Sequence, residues 1–212
     1  MFFKKNKRVS VDSGLNENGS VLLAKSLIYS GTYKLDIEVI ADALGERFKQ
    51  RSLEEQITCV AEVRLCLLST FMILLRVPRY GIGCADIVEK ALFEELSEVH
   101  IISPGDLTRL SKAGQTLPVS AEVYTDRLEC RKLMSNRYWE YSEILKNPFV
   151  HQDAGVMGLA IQQACRECGE HIFDGLPGMD FVVYLAGLLA ERVVLFEKCL
   201  GNAISMQKQS DS

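Results

Sequence analysis

From Leu65 to Leu75 the chain runs eleven residues without a charge, Leu-Cys-Leu-Leu-Ser-Thr-Phe-Met-Ile-Leu-Leu. Ser52 precedes it as a helix N-cap, and Glu55 stands at the third helical position, the spacing of a capping box. One helix over about 53–76 follows, one-sided in its first half (Leu53, Ile57, Val60, Ala61) and apolar all round in its second. A helix apolar on every side is surrounded by protein on every side. Phe181–Ala190 repeats the pattern inside a helix expected from about Met179 to Leu200. The chain is therefore expected to fold as layers of helix around two central apolar ones.

The other segments carry the same period. Asp36 can cap a helix with Ile37, Ile40, Ala41, Leu44 and Phe48 on one face. Val77-Pro78-Arg79-Tyr80-Gly81-Ile82-Gly83 is a loop, and Ile87, Val88, Ala91, Leu92, Leu96 and Val99 mark the next helix. Ser103-Pro104-Gly105-Asp106 opens a short helix to about Lys112, ended by Gly114. Pro118-Val119-Ser120 begins a long helix to about Lys146, closed by Asn147-Pro148; Ala154–Glu170 forms another. A short strand fits only at Val99–Ser103. No repeat of about 34 or 40 residues is present, which argues against a solenoid. The expectation is an all-α, compact multi-helix bundle of about seven to eight helices. Residues 1–34 are expected as a flexible basic tail, 35–205 as a single helical domain and 206–212 as a frayed end.

Composition excludes collagen-like, coiled-coil-only and wholly disordered chains: 48% of the residues are hydrophobic and 25% charged, with 15 Gly and 5 Pro. At 212 residues the chain can bury roughly 70% of its unfolded surface, enough for a core without disulfides or metal. Net charge is −4. It is uneven: residues 1–34 hold six cations against two acids, a net of +4, leaving −8 for the rest. An acidic body is a poor surface for nucleic acid, so none is expected as a partner. Ile40-Ala41-Asp42-Ala43-Leu44-Gly45 has the small-residue and glycine pattern of a helix-turn-helix, but Glu54 and Glu55 and then the buried helix follow it, against DNA recognition. Lys4, Lys5, Lys7 and Arg8 allow at most weak peripheral contact with anionic lipid. No apolar run of secretory-signal length stands behind them, and the two uncharged stretches are shorter than the roughly 20 residues of a bilayer span. Seven cysteines, an odd number, without such a signal point to free thiols and a cytoplasmic location.

Motifs for phosphate binding, dinucleotide binding and serine hydrolysis are missing, and the three histidines (His100, His151, His171) form no His-Glu-x-x-His or Glu-x-x-His. Two constellations stand out against a plain core. Cys165-Arg166-Glu167-Cys168-Gly169-Glu170-His171 spaces two sulfurs and a nitrogen three apart on a helix, which can present Cys165, Cys168 and His171 to a Zn²⁺ ion or make a redox pair. Its position near a helix C-terminus disfavours thiolate, no second Cys-x-x-Cys accompanies it, and two core cysteines beside an exposed histidine is the plainer reading. In the helix after Ser120, Tyr124, Leu128, Met134, Tyr138 and Leu145 fall on one face with Arg127 and Arg131 in the middle of it, and Tyr138-Trp139-Glu140-Tyr141 follows. Buried guanidinium groups need a carboxylate such as Glu62 or Glu191; exposed ones beside Tyr and Trp have the chemistry of an interface hot spot. Glu62 and Arg64 are expected to face Glu191 and Arg192 across the bundle, as ion pairs or around a cavity.

The expected function is a non-enzymatic protein–protein interaction module, an adaptor, chaperone-like subunit or inhibitor. It would bind another protein through Tyr124, Arg127, Arg131, Tyr138, Trp139 and Tyr141. A homodimer is possible, since Trp139 and its neighbours need cover. The alternatives are a small metal- or thiol-dependent enzyme using Cys165, Cys168 and His171, and a bundle holding a small apolar ligand.

Overall fold

Ser52 Oγ accepts from the Glu55 backbone N–H at 3.2 Å, while the Glu55 carboxylate accepts from the Ser52 N–H at 3.1 Å. This reciprocal cap starts the central helix of the fold. In the computed structural model, residues 15–32, 35–80, 85–96, 101–102, 104–112, 114–116, 118–151, 153–173 and 177–210 are described. Every regular element among them is helical: α1 (Glu17–Thr32), α2 (Ile37–Leu44), α3 (Glu46–Lys49), α4 (Leu53–Leu75), α5 (Ala85–Leu96), α6 (Pro104–Lys112), α7 (Arg127–His151), α8 (Ala154–Glu170) and α9 (Met179–Ser210). Two 3-10 turns, Pro78–Tyr80 and Val119–Tyr124, link them. The chain is an all-α multi-helix bundle.

α4 is its axis. From Cys59 to Leu75 every residue is buried, because α1, α2, α5, α7, α8 and α9 all pack against it. Over its whole length α4 is long and apolar enough to cross a bilayer, although its uncharged run alone is shorter; 94% of its most apolar window lies inside the protein. Glu62 and Arg64 interrupt the apolar sequence and are buried with it.

α9 differs from the expected second central helix. Phe181, Val182, Leu185, Leu189 and Phe196 are buried, while Val183, Gly187, Ala190 and Val194 face solvent. Uncharged sequence on all sides is necessary for a wrapped helix and not sufficient: the neighbours available cover only one side of α9.

Other boundaries also move: α9 runs past Leu200 to Ser210, so residues 206–210, expected as a frayed end, are helical. The basic tail expected over residues 1–34 contains α1, whose Leu23, Ala24, Leu27 and Ile28 belong to the core between α5 and α9; Lys4, Lys5, Lys7 and Arg8 lie outside the described residues. Polar residues on both sides of a modest apolar stripe hid this helix from its periodicity. The run begun at Asp36, whose carboxylate does cap Val39 N–H at 2.9 Å, splits into α2 and α3 at Gly45. There φ is +79°, a conformation that favours glycine. The long helix begins at Arg127 rather than Ser120, because Asp126 accepts from the Glu129 N–H at 2.8 Å and starts a new cap. It runs through Pro148 to His151. Of the strand considered at Val99–Ser103, only Ile101 and Ile102 are described, as buried bend residues.

Candidate functional site

The restart at Arg127 resets the phase of α7. Its buried stripe is Cys130, Met134, Tyr141, Leu145 and Phe149, and Arg137 stands in the gap of that stripe. Arg137 Nε donates to Glu62 at 2.7 Å and Nη2 donates to the same carboxylate at 3.0 Å, a two-pronged guanidinium–carboxylate contact. Tyr124, in the 3-10 turn before α7, donates its hydroxyl to Glu62 at 3.0 Å. Arg137 Nη1 then reaches Glu140 at 3.2 Å, and Glu140 Oε1 lies 2.8 Å from His171 Nε2 at the end of α8. A polar chain thus runs from the α4 core outward through α7 to α8.

The electrostatics follow from this arrangement. Burial disfavours the charge on Arg137, but the hydrogen bonds and charge of Glu62 outweigh it and raise the pKa overall. Burial, and then the Glu62 charge, push the Tyr124 hydroxyl well above its ordinary value. A second buried cation, Arg64, donates to Asp106 at 3.0 Å and to the backbone carbonyls of Ile101 and Leu35. Burial lowers its pKa, offset in part by Asp106. Arg64 therefore ties α4 to the start of α6 and to the segment entering α2.

The expected pairing of Glu62 and Arg64 with Glu191 and Arg192 is replaced by these contacts. Arg192 reaches Glu191 of its own helix at 3.3 Å, and its buried Nε has no hydrogen-bond partner among the described residues. Of the two acids that the sequence offers to a buried arginine, Glu62 and Glu191, Glu62 takes one from α7. Its partner, Arg137, was missed because the helix phase was taken from Tyr124, which lies outside α7. The spacing of Cys130, Met134, Tyr141 and Leu145 carries the correct phase.

The six residues expected to form an aromatic–Arg surface divide. Tyr124 and Tyr141 are core side chains; burial raises the Tyr141 pKa, with the neighbouring thiols of Cys168 and Cys66 adding to it. The side chain of Arg127 lies outside the described residues, and Arg131 is exposed. Tyr138 is half-buried, with its ring 5.6 Å from that of Trp139 in an edge-on contact. Trp139 is 67% exposed, and Leu128 and Val150, each eleven residues away along the same line of α7, are exposed too. On its flank toward α8, α7 borders an open cleft of about 560 Å³ lined by Ile144, Pro148, Val156, Leu159, Ala160 and Arg166.

Cys165 and Cys168 are fully buried, and burial pushes the Cys165 thiol up to about 12. Cys168 lies against Cys66 of α4, which its hydrogen bond and burial hold above the ordinary thiol range. His171 is turned toward Glu140. Among the described residues no group of three or more His, Cys, Asp or Glu side chains is arranged to hold a metal ion, so Cys165, Cys168 and His171 do not converge as a ligand set. Val156 and Leu159, earlier on the same helix, are exposed.

The fold and these contacts define a class, a helical bundle whose axis carries buried ion pairs. No known family, curated protein or solved structure matches the chain.

Proposed function

We propose that the chain is a protein-interaction module that binds another protein along the outer edge of α7. The observation that carries this reading is Trp139, two-thirds exposed on a rigid helix, braced by Tyr138 and aligned with Leu128 and Val150. Tryptophan buries 150–250 Å² when covered and is among the residues that dominate interface energetics. Arg131 and Lys146 are exposed around it together with Glu143, and Lys132 pairs with Glu129, so the rim around Trp139 is polar and of mixed charge. All six described cysteines are free thiols, in keeping with a reducing, cytoplasmic setting.

The test is a photo-crosslinking residue at Glu143, one turn from Trp139 on the exposed edge. In cells of the source organism it is expected to give one dominant protein adduct, lost on Trp139→Ala with the unfolding midpoint unchanged. Absence of an adduct, or an adduct indifferent to Trp139→Ala, overturns the reading.

A further inference from the structure

Val183, Gly187, Ala190 and Val194 lie on one line of α9, all four exposed and the two valines 64% and 51% so. At 1.5 Å per residue the line is about 16 Å long. Its spacing of four, three and four residues reads the same in both directions, and so does its content, valines outside and small residues inside. Two helices related by a two-fold axis and running antiparallel bring together residues whose numbers share one sum. A single register therefore places Val183 against Val194 of the second copy and Gly187 against Ala190 of the second copy. A self-complementary patch of this kind is what an isologous interface requires.

Two further observations bear on the same face. A Cβ at Gly187 would meet nothing within 4 Å, so packing within one chain gives no reason for a glycine there, although glycine costs about 1 kcal/mol relative to alanine in a helix interior. Close approach of a second helix does give one. In this register Asp180 of one copy lies one residue, about 1.5 Å along the axis, from direct opposition to Lys198 of the other, on the same flank of the seam and twice by symmetry, within reach of the long lysine side chain. Both are exposed, and neither has an ion pair among the described residues. Glu197, which would otherwise approach Asp180, is drawn toward Tyr80, whose hydroxyl donates to it at 3.0 Å. Glu191 stands at the solvent edge of the seam, and Arg192 is buried on the opposite side of α9.

We infer that the outer face of α9 pairs with a second copy of this chain, antiparallel and two-fold, through Val183, Gly187, Ala190 and Val194 with Asp180–Lys198 contacts at both ends. This uses a different helix from the α7 edge and does not depend on it. One helix pair falls below the roughly 1,200 Å² of stable interfaces, so the dimer is weak and concentration-dependent.

Sedimentation velocity of the full chain between about 2 and 200 µM spans the expected transition for an interface of that size. Monomer is expected to give way to dimer as concentration rises. Gly187→Leu, whose side chain has open space within one chain, is expected to keep it monomeric. Asp180→Lys alone or Lys198→Asp alone is expected to weaken the dimer about five- to tenfold, and the two together to restore it. The restored double variant decides the matter even if Gly187→Leu does not fold. A monomer throughout the range overturns the inference; so does a dimer that neither weakens with the single charge reversals nor recovers with both.

Discussion

Glu62 and Arg137 hold opposite charges where water reaches only one of them: Glu62 is shut in the core, and Arg137 keeps a narrow path to solvent. Removing one partner of such a pair leaves the other charge buried, which is costlier than removing both. Glu62→Gln is therefore expected to lower the unfolding free energy by about 3 kcal/mol, and the double change Glu62→Met with Arg137→Met to recover most of the loss. Urea titration of Glu62→Met, Arg137→Met and the double reads this; strictly additive losses would show that the pair is not coupled. At this scale the sequence showed that a charged residue in an apolar helix needs a partner, and it offered Glu62 and Glu191 as the acids. It did not show which arginine, because a shift of one residue in helix phase moves a side chain by about 100°. Arg64 illustrates a different gap. Its acceptors include the carbonyls of Ile101 and Leu35, and backbone groups leave no trace in a sequence.

Two helix starts, those of α2 and α4, were legible, since their caps are local chemistry. Asp36 and Ser52 cap where their spacing says they should. Ser52→Ala removes one half of the reciprocal cap at the head of α4 and is expected to cost about 1 kcal/mol, whereas Ser52→Asp keeps an acceptor there and costs little. Thermal or urea unfolding of the pair distinguishes a working cap from an idle one: equal losses would mean the hydroxyl contributes nothing. The ends and faces of helices were less legible. Asp126 interrupts what periodicity joins across Ser120–Lys146, and Pro148 is accommodated inside α7 rather than ending it. α9 reads like α4 over Phe181–Ala190, yet only one of them is wrapped. Which side of an apolar helix stays uncovered depends on how many neighbours the rest of the chain can bring, a property no window of α9 contains.

The bundle as a whole stores protons. Burial holds up the thiols of Cys59, Cys130 and Cys165, to about 11 for Cys130 and about 12 for Cys165, and the hydroxyls of Tyr124 and Tyr141. In an unfolded chain thiols titrate near about 8.5 and tyrosines near about 10. Above those values the unfolded state releases protons that the folded state keeps, so stability is fully present below about pH 8.5 and falls as pH rises through the folded values. Urea midpoints at about pH 7, 9 and 10.5 are expected to fall in that order; a flat profile would mean these groups ionise in place. At this largest scale the helical class was readable from period and caps, while the inclusion of α1 in the core was not, since its apolar stripe gains meaning only between α5 and α9. The central place of α4 has a consequence on the ribosome. Most of its cover is made later, by α7 and α9, and 135 residues separate Leu75 from Ser210. At roughly 5–20 residues per second, translation leaves the most apolar segment of the chain without its sheath for on the order of ten seconds. Through that interval the nascent chain carries a helix of membrane-spanning length with only the elements made before or just after it, α1, α2 and α5, available as cover.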